Sequence, residues 1–162
     1  MASHVDNICK RAYLNIRNIG QIRQCINAKT AASLVHACVL PHLDFCNGLL
    51  IGLPKYLLTK LLRVQNFAAR LVTKSKKFDH ITPILRNLHW LKCNERIQYK
   101  VMLIVFNARH NQKPTYISEL LEEYVPGRSL RSSWQSLLSV PSVRTATFGG
   151  RSVAKVAPKV AP

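Results

Sequence analysis

The sequence predicts a mostly α-helical protein: a small helical bundle over residues 1–123, followed by a basic, loosely structured tail over residues 124–162. Three observations carry this prediction. Apolar residues recur at helical spacing in several separate segments. Residues that start and stop helices (Asn, Thr, Pro and Gly) stand between those segments. After Glu123 the character changes: residues 124–162 hold no acid, six Lys or Arg, and frequent Ser, Pro and Gly, with no long periodic segment. With 162 residues, 48% of them apolar, the chain is long enough and apolar enough to bury a core.

The elements follow in order. Residues 4–19 form a first helix, with Ile8, Ala12 and Ile16 on one face and Gly20 as its end. Asn27 caps a second helix from Ala28 to about Leu40, which Pro41 stops or kinks. A third helix runs from about Lys55 to Lys74. Its Leu57, Leu61, Val64, Ala68, Leu71 and Val72 share one side, and Arg63, Arg70, Lys74 and Lys77 fall on the other. Thr82 as cap and Pro83 at the first helical position open a short helix that ends near Leu88. Asn94 caps the next, with Glu95 in its first turn, where the helix dipole favours an acid. Residues 97–108 are apolar on most sides and read as the central core helix. Residues 116–123 form a short amphipathic helix carrying Glu119, Glu122 and Glu123, three of the seven acids. Beyond it, Leu137 to Val140 is a strand-like scrap.

The charge balance points to a partner. Twenty-four Lys and Arg face seven Asp and Glu, a formal net charge of +17. Such an excess repels itself unless a polyanion neutralises it, and nucleic acid does so through its phosphates without sequence readout. No acid lies between Leu53 and Phe78, so the cations of the third helix are expected to have no partner. The N-terminal MASHVDNICKRAYL lacks the apolar run of a signal peptide, and no apolar stretch approaches the ~20 residues a membrane span needs. The five scattered cysteines therefore read as reduced thiols in an intracellular protein, cytoplasmic and nuclear, with no membrane partner.

Catalytic and metal patterns are weak. His36, Cys38, His42 and Cys46 are residue types that zinc accepts, but the spacing is not that of a finger and Pro41 interrupts the helix, so core roles are expected. Neither a Gly-x-Ser-x-Gly elbow nor a Gly-rich phosphate loop occurs, and no small-molecule substrate is expected. Asp44, ahead of the Asn47-Gly48 turn pair, is expected to cap that turn or pair with an arginine. His80 is expected at a cap region, and Trp90 in the core with its N–H satisfied.

An ordered set of short motifs resembles a known family. The run from Leu34 to Thr73 contains Leu43-Asp44-Phe45-Cys46-Asn47, a Gly52-Leu53-Pro54 break and the helix LLRVQNFAARLVT. Then come FDHITPIL (78–85), Leu88-His89-Trp90-Leu91, Arg96-Ile97, Pro114-Thr115-Tyr116-Ile117, and Tyr124-Val125-Pro126 with Arg128-Ser129-Leu130-Arg131-Ser132-Ser133. Phe148-Gly149-Gly150-Arg151-Ser152 closes the set. In this order and spacing they are similar to the region just downstream of the polymerase core in reverse transcriptases of Jockey-like non-LTR retrotransposons. The likeness spans almost the whole chain and decays at VAKVAPKVAP. Lys92 stands where the family usually has Pro.

The resemblance implies a thumb-like helical domain and C-terminal region of an RNA-directed DNA polymerase, lying after the catalytic box. Its partners would be RNA and DNA as a template–primer duplex, together with the upstream palm and fingers of the parent enzyme. The parent would need magnesium held by paired carboxylates. This chain has only the isolated Asp6, Asp44 and Asp79, so no catalytic residue, metal site or cofactor is expected in it. The expected role is gripping nucleic acid by its backbone through Lys60, Arg63, Arg70, Lys74, Lys76 and Lys77, then Arg128 and Arg131. A stand-alone helical nucleic-acid-binding protein derived from such an element is the alternative, and a relic without function is a third.

Overall fold

A computed structural model describes residues 1–110, 115–128, 137–145 and 149–160. Within them the protein is mostly helical, and its helices form a small bundle. The chain divides into two compact units, Met1–Asn47 with Leu53–Arg96, and Gly48–Gly52 with Ile97–Pro162. The division does not fall between residues 123 and 124, where the sequence composition changes. Apolar residues on both sides of that point share one core cluster in the second unit.

The first unit is built on α1 (Ala2–Ile22), α2 (Ala28–Cys38), α3 (Leu40–Asp44), α4 (Lys55–Thr73) and α5 (Ile81–Asn87), and includes the first turn of α6 (Cys93–Arg109). α4 is the hub: α1, α2 and α5 all pack on it, while α3 packs on α1 and α2. α1 buries Val5, Ile8, Cys9, Ala12, Ile16 and Ile19, a stripe at three- and four-residue steps. It continues through Gly20 instead of ending there. A Cβ at Gly20 would meet the side chain of Leu71 at 3.8 Å, so α4 packs over the glycine and supports the last turn.

The predicted starts hold to within two residues. The side chain of Asn27 accepts the Thr30 N–H at 2.7 Å, so it is the cap of α2. The break before α3 falls at Val39, and Pro41 sits in the first turn of α3, where a missing N–H costs no helical bond. α5 starts at Ile81 with His80 as its N-cap residue, two residues earlier than expected. Pro83 is tolerated in that turn because the first N–H groups of a helix have no helical acceptor. α6 starts at Cys93 instead of after Asn94, and Glu95 Oε2 accepts the Lys92 N–H at 3.2 Å.

Polar bonds join distant parts of this core. Arg96 Nε donates to Asp44 Oδ1 at 2.9 Å, and Arg96 Nη2 donates to Oδ2 of the same carboxylate, a two-pronged pair. Trp90 Nε1 donates to His36 Nε2 at 2.9 Å with the indole buried. Gln65, fully buried on α4, donates to the carbonyl of Leu91 at 2.6 Å.

In the second unit, Val101 and Val105 of α6 cluster with Leu138, Val156 and Ala157. α6 buries a stripe, not most of its sides: Tyr99, Met102, Leu103 and Phe106 are exposed. α7 (Thr115–Ser118) is shorter than the predicted helix over 116–123. The chain instead extends, and Tyr124 N–H donates to the carbonyl of Leu137 while Ser139 N–H donates to that of Glu122, both at 2.8 Å. This pairing lets Leu121 and Leu138 reach the same cluster. The described part of residues 124–162 is thus not uniformly irregular, since α8 (Val153–Val160) supplies Val156 and Ala157 to the core. Gly149 is required by close approach, because a Cβ there would lie 2.8 Å from Val143 Cβ.

Two glycine substitutions should therefore act in opposite directions. Gly20→Ala is expected to stabilise the protein by about 0.5–1 kcal/mol, since glycine is a poor helix residue and the site has room. Gly149→Ala is expected to destabilise it. Urea denaturation of the two variants measures both signs.

Candidate functional site

Four of the cations picked out from the sequence, Arg63, Arg70, Lys74 and Lys77, line one groove of about 990 Å³ in the first unit. Tyr13 and Gly20 of α1 form one wall. The second half of α4, with Phe67 and Leu71, and the turn after it form the other. No Asp or Glu lines it. Helical spacing does the gathering: positions 63, 67, 70 and 74 lie three or four apart and share a face.

The end of α4 shapes the groove. Lys74 is its C-cap, with φ 54° and ψ 29°, in the left-handed region that glycine usually fills. The N–H of Lys74 and that of Ser75 both donate to the carbonyl of Arg70, closing the last turn. A lysine in this conformation costs roughly 1 kcal/mol, and such strain is commoner where a side chain has a task. Asp79 then folds the following loop back. Its Oδ2 accepts the Lys76 N–H at 2.7 Å, and its carbonyl accepts Arg70 Nη2 at 3.1 Å. Arg70 Nε is buried without a protein acceptor.

Arg23 also lines the groove, and sequence reasoning missed it. It is 7% exposed and spends its donors on backbone carbonyls: Nε on Leu71 at 2.8 Å, Nη2 on Val72 at 2.6 Å and Nη1 on Ile26 at 2.8 Å. Leu71 and Val72 belong to the last turn of α4, whose carbonyls have no helical donor. A cation there also faces the negative end of the helix dipole. No local pattern marks this residue, because its main partners lie 48 and 49 positions away. Tyr13 and Phe67 were likewise missed as groove residues.

The other expected contacts lie elsewhere. Lys60 pairs with Asp6 of α1 at 2.6 Å, with side chains 43% and 56% exposed. That hydrogen bond raises the lysine's pKa. The expectation that the cations of α4 lack partners is corrected for Lys60: the acid comes from α1, 54 residues away in sequence. An exposed pair of this kind adds little stability, yet it cancels the charge. Lys76 is exposed and does not line the groove. Arg128 is exposed and belongs to the second unit. Arg131 lies outside the described residues.

Among the described residues, no three His, Cys, Asp or Glu are placed to hold an ion. Asp6, Asp44 and Asp79 are each engaged separately, with Lys60, Arg96 and Lys76. His36 is bonded to Trp90 and His42 to Asn15, but the core roles expected for the four residues are corrected: His36, Cys38 and Cys46 are exposed and His42 is half-buried. Burial pushes the Cys93 thiol up to about 11, which makes it a poor nucleophile. Among the described residues no helix is long and apolar enough to cross a membrane. Comparison with protein-family models, curated proteins and solved structures found no match.

The left-handed cap generates a stability test. Lys74→Gly is expected to raise unfolding free energy by about 1 kcal/mol by relieving the backbone. A loss of stability in thermal or urea melts would show that the lysine side chain holds the fold.

Proposed function

We propose that this chain is a nucleic-acid-holding part of a non-LTR retrotransposon reverse transcriptase, gripping template–primer by its phosphate backbone. The observation that carries the reading is the acid-free groove where Arg63, Arg70, Lys74 and Lys77 converge beside the buried Arg23. Like charges gathered without an acid repel one another, and a phosphate chain relieves that repulsion by releasing its counterions. Contacts of this type position nucleic acid without reading its bases.

The resemblance adds the family. Several residues that carry it hold the first unit together: Asp44 with Arg96, Gln65 with Leu91, Trp90 with His36. On this reading those motifs build the fold and the groove does the binding. The palm and fingers of the parent polymerase would supply the paired carboxylates and magnesium for nucleotide addition. This chain, on our reading, binds and orients and takes no chemical step.

Binding of a fluorescent RNA–DNA duplex to the full chain tests the proposal. With four cations engaged, affinity for the duplex should fall about 150-fold between ~50 and ~200 mM salt. Arg63→Gln and Lys77→Gln should each weaken binding regardless of sequence and reduce the salt slope by about one. Lys60→Gln should change little, since Asp6 already neutralises that charge. An affinity indifferent to salt sinks the proposal.

A further inference from the structure

The groove holds more than cations. Phe67 and Tyr13 stand on its opposite walls, 52% and 40% exposed, with ring centroids 6.1 Å apart and ring planes inclined at 62°. A surface that only holds phosphates needs no aromatic floor, and leaving half of a phenylalanine in water is unfavourable. An edge-to-face pair leaves ring faces open, since one ring meets the other with its edge. Arg63 and Arg70 lie one helical turn to either side of Phe67 on α4, so a backbone running along these cations passes beside the ring.

We propose that this groove is a binding site for single-stranded nucleic acid, with an unpaired base stacked on Phe67 against Tyr13 and the flanking phosphates on Arg63, Arg70, Lys74 and Lys77. The inference rests on the phosphate-grip reading and narrows it. In a duplex each base is already stacked between its neighbours, so an internal base cannot lie on Phe67. An unpaired stretch, such as a template overhang, offers both a free base face and a phosphate chain. Base–aromatic stacking tolerates any sequence, because every base has a π-face.

Three short probes bound to the full-length chain decide the matter: an oligothymidylate, an abasic strand of the same length, and a duplex with closed ends. Phe67→Leu keeps an apolar side chain at an exposed site, and a matching melt confirms its fold. This variant should bind oligothymidylate about tenfold more weakly than wild type and leave abasic-strand affinity unchanged. Phe67→Trp should restore or exceed the original affinity. The proposal is overturned if Phe67→Leu leaves oligothymidylate binding intact, lowers binding of both strands alike, or weakens the closed duplex as much as oligothymidylate. Salt-dependent binding that is equal for thymidylate and abasic strands would overturn stacking alone and leave the phosphate grip standing. No salt-dependent binding of any probe would overturn both.

Discussion

The buried guanidinium of Arg23 ties the end of α1 to the end of α4 and lines the groove beside them. Its bonds to the carbonyls of Leu71 and Val72 satisfy the end of the hub helix, and its third donor fixes Ile26 just before α2. One side chain thus sets where three helices meet. A buried cation would be costly alone. Here it has hydrogen bonds from each of its donating groups and lies at the negative end of a helix.

The same helix end accounts for how so basic a chain tolerates a cluster of cations. Arg70, Lys74 and Lys77 also gather at the C-terminus of α4, where the dipole offsets part of their repulsion. The aspartates are spent elsewhere. Asp6 neutralises Lys60, Asp44 grips Arg96, and Asp79 folds the loop through backbone bonds to Lys76. What is left is a groove lined by positive charge and aromatic rings with no acid among its walls. If the groove holds nucleic acid as proposed, counterion release supplies most of the binding energy.

Much of the first unit was legible from periodicity and caps. The apolar stripe of α4 except Leu71, which lines the groove, the Asn27 cap and the Glu95 position in the first turn of α6 all follow from local rules. The buried place of Trp90 and an arginine partner for Asp44 are foreseeable from residue type, although not which arginine it is. The misses share a cause. Gly20 stays helical because α4 packs on it, Lys60 is paired through α1, and Arg23 bonds across 48 residues. Each depends on a tertiary neighbour that no short window contains. The helix expected over 116–123 fails for the same reason, since Leu121 and Leu138 meet in one cluster and draw the backbone between them into an extended pairing. Half of the predicted cations do line the groove: Arg63 and Arg70 lie on one face of α4, whereas Lys74 and Lys77 are carried by its left-handed cap and by the loop that Asp79 folds back.

The most direct test is to map where nucleic acid touches the protein. Backbone amide shifts in ¹⁵N-labelled full-length chain, recorded as an oligonucleotide is added at low salt, report this residue by residue. Changes should concentrate at residues 13–24 and 63–77, the two walls of the groove and the turn that closes it. Changes spread evenly over the surface, or centred on residues 97–128 with the groove silent, would contradict it.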